Sequence, residues 1–364
     1  MSEIGTRDIP LNWDVIVAPS IPIVTDDLPP GIKQRMFSPV SSTLISGKRD
    51  AVLVDALLTV EQAVALVDWI AASGKNLTTI YATHGHADHF FGVSTVLARF
   101  QNTRFVATTD VVKVMRQQAS PESLASFWKA RFPGQLSDRL VIAEELTGNV
   151  IDLEGHDLVA VPLGHTDTDS TTCLHVPSIG LVVAGDAAYN GVHLYLAESN
   201  PQTRLEWIAA LDTIEALNPT AVIAGHKRAE NDDNPRIIEE TRQYIRDFDR
   251  VAVTTTTARG LYDKMLELYP SPTPPNPPPW AAPPMPPPKP TPPPLSSPSS
   301  AAATTTTTAI TTPATPPPSS SCTAIERTTT ATGTTSTEEQ SCLPYGPSLL
   351  LWLPFLGSSL GGYW

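Results

Sequence analysis

Apolar and polar positions follow two rhythms along this chain, one near two residues and one near 3.6, and these rhythms mark out strands and helices. Residues 13–18 alternate and predict a first strand, whereas 21–31 carry three prolines and predict loop. Residues 36–45 and 51–55 predict two strands joined by a turn at Gly47-Lys48-Arg49-Asp50. A helix follows over 59–72. Thr59 is placed to cap it, Val60, Val64, Leu66, Val67 and Ile70 give it an apolar face, and Gly74 ends it. The β-branched run 78–82 predicts a buried strand, 88–100 a helix, 104–107 a short strand, and 110–119 and 121–131 two more helices. Strands are predicted at 149–153 and 157–163 around Glu154-Gly155-His156-Asp157, a hairpin signal, and again at 171–176 and 181–184. A helix over 201–217, a strand over 221–224, a charged and exposed helix over 235–249 and a last helix over 258–269 complete the pattern.

Strands come first, then β-α-β units, and the whole order then repeats. Such a near-repeat suits two sheets packed face to face with helices outside, an α/β sandwich. Periodicity alone also permits a doubly wound sheet. The hairpin-type strand pairs in each half favour antiparallel or mixed sheets, and hence the sandwich.

Composition changes this picture in one place. Of 37 prolines among 364 residues, about two-thirds lie from Pro270 onward, among runs of Thr, Ser and Ala. Residues 1–269 are therefore expected to form the folded domain. The segment 270–364 is expected to be a low-complexity tail, disordered because it has too little apolar surface to fold. Its apolar end is too short and too broken by Pro354 for a spanning helix. The same abrupt change would arise from read-through of an intron or a shifted frame, which sequencing the transcript across codon 270 distinguishes.

The net charge of -13, with no long basic run, argues against a nucleic-acid backbone as partner. Cys173, Cys322 and Cys342 form neither a disulfide framework nor a C-x-x-C pair. Together with a start that lacks the features of a secretory signal, this usage fits a reducing, cytoplasmic setting with no membrane association.

The chemistry concentrates in Thr83–Gly92, which reads T-H-G-H-A-D-H-F-F-G. His84, His86, Asp88 and His89 fall on one loop directly after a buried strand. Imidazole and carboxylate are the ligand types of zinc and similar divalent metals. Three more ligand-type residues each follow an apolar strand with a glycine just before them: His165 after Gly164, Asp186 after Gly185 and His226 after Gly225. Strand ends gather side chains at one sheet edge, and glycine lets the backbone come close to a bound ion or its ligands.

This ordered set resembles the metallo-β-lactamase-fold superfamily over residues 13–250. The resemblance implies a four-layer αββα sandwich with a dinuclear metal centre at one edge, zinc by default, with iron or manganese also compatible. It assigns His84, His86 and His165 to the first metal, Asp88, His89 and His226 to the second, and Asp186 to the bridge. It implies a metal-bridged hydroxide that hydrolyses an activated carbonyl: amide, lactam, lactone or thioester. Common class B lactamases carry a cysteine near the position of Asp186, and Cys173 is not at a ligand position. The resemblance is thus to the glyoxalase II-like and lactonase-like group rather than to dedicated resistance enzymes.

Around this set, Asp88 is a candidate proton relay as well as a ligand. Tyr189 and His193, on the chain leaving Asp186, are candidates to face a small-molecule substrate. Asp55 is a candidate support for the ligands, as are Thr166, Asp169 and Ser170 beside His165, where local side-chain caps explain the pattern as well. Lys227 and Arg228 either meet an anionic substrate or are exposed charge. Phe127, Trp128 and Phe132 either form a lid or pack on the sandwich. A mononuclear iron dioxygenase acting on a persulfide and a non-catalytic binding module are the competing functions on the same scaffold.

Overall fold

The computed structural model describes residues 10–26, 28 and 33–270, so the expectation for the tail beyond Pro270 falls outside the described residues. The chain opens with strands β1 (Asn12–Ala18), β2 (Ile21–Ile23), β3 (Arg35–Phe37), β4 (Val40–Ser46) and β5 (Asp50–Val54), followed by helix α1 (Val60–Ala72). It continues through β6 (Asn76–Tyr81), α2 (Val93–Arg99), β7 (Arg104–Ala107), α3 (Thr109–Gln118), the short helices α4 (Pro121–Ser123) and α5 (Lys129–Arg131), and β8 (Glu144–Glu145). The second half holds β9 (Val150–Leu153), β10 (His156–Gly164), β11 (Thr171–Val176) and β12 (Leu181–Asn190). After these come α6 (Pro201–Ala216), β13 (Ala221–Lys227), α7 (Ile237–Thr254) and α8 (Ala258–Leu268).

One sheet has the order β1-β4-β5-β6-β7-β8 and the other β13-β12-β11-β10-β9. Both are mixed, as the hairpin signals predicted. β1, β4 and β5 pair antiparallel while β5 to β8 run parallel, and in the other sheet only β12 and β13 run parallel. Because successive strand residues face opposite sides of a sheet, each strand feeds two cores. Val52 and Val54 of β5 meet Leu181 and Val183 of β12 in an apolar layer between the sheets. Ala51 and Leu53 face α1, α2 and α3 through Leu66, Ile70, Val96 and Met115. Val182 and Ala184 face α6, α7 and α8 through Trp207, Ile245 and Leu261. Three apolar layers separating four layers of elements make the αββα sandwich. No described helix is long and apolar enough to cross a membrane.

Several expectations about elements give way to tertiary packing. Residues 21–23 form a strand paired with 35–37 rather than loop, because Pro22 sits on a two-stranded ribbon where its missing N–H is no loss. The strand predicted over 36–45 breaks at Ser38-Pro39. In α1, Thr59 and Gln62 form a reciprocal capping box. Leu66 and Ile70 are buried with Ala63, but Val60 and Val64 are 40% and 48% exposed, so the apolar face is narrower than the pattern suggested. The helix expected at 88 begins only at Val93, after a 3-10 turn over Ala87–His89. A Cβ on Gly92 would lie 2.1 Å from the carbonyl oxygen of Ala56, so the chain passes this crossing only as glycine. β12 continues to Asn190, well past Ala184, because its parallel pairing resumes at Tyr189 with His226. The charged helix over 235–249 is half buried rather than exposed, setting Ile238, Thr241 and Ile245 against the second sheet.

Candidate metal centre

The centre sits where β6, β10, β12 and β13 end or bulge at one edge of the paired sheets. A seam beneath it fixes the two sheets together. Tyr81 Oη lies 2.6 Å from Thr172 Oγ1, which donates to the Thr83 carbonyl at 2.6 Å, and Ser41 Oγ donates to the Ala224 carbonyl at 2.6 Å. Two glycines permit the closeness. A Cβ on Gly225 would lie 2.1 Å from Asp186 Oδ1. Gly185, at φ +53°, would put one 2.4 Å from Thr83 Oγ1.

Two sets of buried donors meet here. His84, His86, Asp167 and Asp186 present one atom each within 4.8 Å of one another, and Asp88, His89 and His226 do the same. The sets touch: Asp186 Oδ1 is 3.2 Å from His89 Nε2, and Asp186 Oδ2 is 3.1 Å from His226 Nε2 and 4.0 Å from His84 Nε2. Asp186 therefore stands between the sets, where a bridging ligand is expected. Asp88 Oδ2 lies 3.3 Å from His226 Nε2 and 3.4 Å from His89 Nε2.

Each histidine is held by one ring nitrogen and presents the other. His84 Nδ1 rests on Thr83 Oγ1 at 3.0 Å, His89 Nδ1 on Asp55 Oδ2 at 2.9 Å and His226 Nδ1 on the Pro39 carbonyl at 2.8 Å. His86 is held through Nε2, 3.2 Å from Glu198 Oε1, and His165 through Nδ1, 2.7 Å from Asp169 Oδ1. Such outer partners fix the tautomer and the aim of ligating histidines. The expected support from Asp55 is present: it also accepts from the Thr83 amide at 2.9 Å and from Thr83 Oγ1. Its backbone takes φ 61°, an unfavourable conformation for a non-glycine residue that this network maintains.

Five of the atoms gathered here lack a hydrogen bond. His84 Nε2, His89 Nε2, His165 Nε2, Asp167 Oδ2 and Asp186 Oδ1 are all buried without a hydrogen-bond partner. Among the described residues, no Lys or Arg pairs with Asp88, Asp167 or Asp186; every ion pair they make is to a histidine. Buried groups of this kind are costly unless they are paired or bind a metal, and imidazole with carboxylate is the donor set of a divalent ion. The residues therefore fit the metal that the fold implies.

Without a metal, protons carry the compensating charge. Burial alone would push the Asp88 and Asp186 carboxyls up, but His89 and His226 outweigh it and hold both below the usual range. Burial opposes charge on His86, His89 and His226 as well. Glu198 and Asp167 overcome it for His86, Asp88 and Asp186 for His89, and Asp186 with Asp88 for His226, which rises to about 10. His84 moves the other way, lowered by burial and by neighbouring His89.

The remaining candidates divide. Tyr189 belongs to the centre: its hydroxyl donates to Asp186 Oδ2 at 2.9 Å and its ring stacks on His226 at 5.4 Å. His193 does not; its Nδ1 lies 2.9 Å from Tyr244 Oη in a cavity of about 350 Å³, which Tyr189 also lines. His165 is not among the four residues of the first set; it is held by Asp169 with its Nε2 buried. Trp128 and Phe132 are buried in the core over the first sheet and Phe127 is partly exposed with Arg131 over its ring, so this aromatic group packs on the sandwich. Lys227 pairs with Asp233 and Arg228 with Glu230. Cys173 is buried away from the ligands.

Sequence patterns gave no sign of Glu198. It lies in an irregular stretch more than 100 residues from His86 and gathers His86, Thr168 Oγ1 at 2.7 Å and Tyr195 Oη at 3.4 Å. Asp167 was not singled out either; it stands two residues after His165, and its place among the donors emerges only from the fold.

Comparison with known proteins agrees with this geometry. Among solved structures, the chain is similar to a metallo-beta-lactamase family protein from Thermus thermophilus, at 19% identity over 69% of this chain and 87% of that one, with a TM-score of 0.52. It is also similar to a metallo-beta-lactamase from Pontibacter korlensis, at 14% identity over 65% and 100% of the two chains, with a TM-score of 0.47. No curated protein matches the sequence. The family model of the metallo-beta-lactamase superfamily matches residues 35–226, a span that opens at β3 and closes on His226. That span covers more than half of the chain and every strand that presents a ligand-type residue, so this protein belongs to the metallo-beta-lactamase superfamily.

Proposed function

We propose that the protein is a metal-dependent hydrolase that binds two zinc-type ions and cleaves an activated carbonyl substrate: a lactone, lactam or thioester. The observation that carries this reading is the convergence of seven buried ligand-type residues in two touching sets, four of whose donor atoms have no hydrogen-bond partner. His84 and His86 would hold one ion, with a further donor from the loop after β10, where the resemblance places His165. Asp88, His89 and His226 would hold the other, and Asp186 would be shared. Bound divalent metal supplies Lewis acidity and a water that is deprotonated near neutral pH.

The chain's own groups do the rest. Tyr189 steadies Asp186 through its hydroxyl and can turn the same hydroxyl to a substrate oxygen where charge develops. Asp88, beside His89 and His226, can accept and pass a proton at its Oδ2. The cavity shared by Tyr189 and His193 has the size of a small-ligand pocket, which typically holds about 300–1,000 Å³. None of the ligand-type residues of the two sets lines it, which leaves His193 apart from any reacting carbonyl. The presence of two donor sets favours this function over a mononuclear iron dioxygenase.

A hydrolysis screen over lactones, lactams and acyl thioesters, with metal content measured on the same sample, tests the proposal. Hydrolysis that tracks two metal ions per chain supports it. One iron per chain with oxygen consumption on a persulfide overturns it.

A further inference from the structure

The first set of donors does not match the three-histidine site that the resemblance implies. The residue that completes it in space is Asp167, not His165. Asp167 is 0% exposed. Its Oδ1 accepts from Thr166 Oγ1 at 2.8 Å, and this hydroxyl is itself steadied by Thr171 Oγ1 at 3.0 Å. The other oxygen, Oδ2, makes no hydrogen bond, and it lies 2.8 Å from His86 Nδ1 and 3.5 Å from His84 Nε2. One oxygen is anchored and the other presented, as in the histidines around it.

Two roles are open to a carboxylate beside a ligating histidine: it can hold the ring from behind, or share the ion from in front. For His86 the rear position is taken by Glu198, which reaches Nε2 from the solvent side with a side chain 41% exposed. Asp167 approaches the opposite nitrogen, the same oxygen also faces His84 Nε2, and Asp167 offers an oxygen within 4.8 Å of a carboxylate oxygen of Asp186. It therefore stands inside the ring of donors. No Lys or Arg balances it among the described residues, so a fully buried carboxylate in that position depends on positive charge from its histidine neighbours or from a bound metal ion. His165 differs in place: its anchor Asp169 is 82% exposed, and its Nε2 is buried but lies outside the set of four.

We propose that Asp167 is a ligand of the first metal ion, which makes that subsite a two-histidine, carboxylate-rich site rather than a three-histidine one. The proposal rests on the metal-binding function above. It carries a consequence for metal choice, because replacing an imidazole by a carboxylate moves a site toward harder, oxygen-preferring ions such as manganese.

The test is a titration of the full chain, stripped by chelator, with Co(II) followed in the visible spectrum, and then with Mn(II) by equilibrium dialysis. The variants are Asp167→Asn, Asp167→His and His165→Gln, each checked for folding by circular dichroism. Asn keeps the acceptor for Thr166 and removes only the charge. Wild type takes two Co(II). Asp167→Asn loses one equivalent by more than the roughly 10–100-fold typical of an outer partner, and loses it more severely than His165→Gln does. Asp167→His restores the second Co(II) with a shifted visible band, and its preference for Co(II) over Mn(II) rises. Two tightly bound Co(II) in Asp167→Asn, or a larger loss in His165→Gln, overturns the assignment of Asp167 while leaving the metal centre intact. No Co(II) bound by wild type removes the metal-dependent function and this inference with it.

Discussion

The two halves of the metal centre are held in different ways. Around His89 and His226 the outer partners are the buried carboxylate of Asp55 and the carbonyl of half-buried Pro39. Around His86 and His165 they are Glu198 and Asp169, whose side chains are 41% and 82% exposed, while His84 rests on buried Thr83. One half is thus anchored by buried and half-buried groups, and the other in part by exposed loop acids. Outer partners set the aim and basicity of ligands, and solvent weakens whatever charge reaches it. The loop-held half should be the more adjustable, and the core-held half should be tied to the stability of the fold.

The residue common to both halves tests the comparison most severely. Asp186→Ala is expected to abolish metal loading and hydrolysis together, and His84→Ala to do the same; elemental analysis of purified variants beside an activity assay checks this. Next in size is Asp55→Ala. It frees His89 and Thr83 at once, so it should lower metal affinity by about 10–100-fold and also lower the melting temperature, since a strained backbone loses the network that holds it. Glu198→Gln should act on the loop-held half alone, with a loss of metal affinity at the low end of that range and a smaller fall in melting temperature of the metal-free chain than Asp55→Ala causes, since it removes one carboxylate beside His86. A fall as large as that of Asp55→Ala would show that the halves are not separable in this way.

The pH dependence of the metal-free chain follows from the same charges. His226 is raised to about 10 by Asp186 and Asp88 against the opposition of burial. Its contribution to stability is fully present below the ordinary histidine value near 6.5 and is lost as pH rises through about 10. Asp88 and Asp186 are held low, so their contribution is present above the ordinary carboxylate value near 3.8 and is lost as pH falls through their lowered values. The chelator-treated protein should therefore melt highest between these limits and lose about 2–4 °C per kcal/mol on either side, measured by calorimetry across pH. Adding metal should release protons and flatten the alkaline loss. The smallest expected effect concerns Cys173, whose thiol burial pushes up to about 12. A thiol reagent at pH 8 should leave it unmodified in the folded chain.

Much of this was legible in local sequence. The capping box at Thr59, the hairpin at Glu154-Gly155 and the His84–His89 loop each depend on residues within a few positions of one another, where spacing determines geometry. What stayed hidden depends on distant partners. β12 runs past Gly185 because β13 lies beside it, which no local pattern reveals. Val60 and Val64 look like core in the helical pattern, but α1 turns only one narrow side to the sheet. Glu198 looks like any loop acid until the fold brings it to His86. His165 was visible as chemistry while Asp167 passed as one more loop acid, and only packing tells which of them enters the ring of donors. Tyr189 and His193 stood equal in sequence. The strand carries Tyr189 to Asp186, and the turn after it carries His193 away to Tyr244.

The most direct test of a two-ion hydrolase is metal analysis and hydrolysis on one preparation, before and after chelation. Two divalent ions per chain are predicted, with hydrolysis of a lactone, lactam or thioester lost on their removal and regained when zinc is restored. Hydrolysis that survives complete removal of metal, or a chain that binds none, would contradict it.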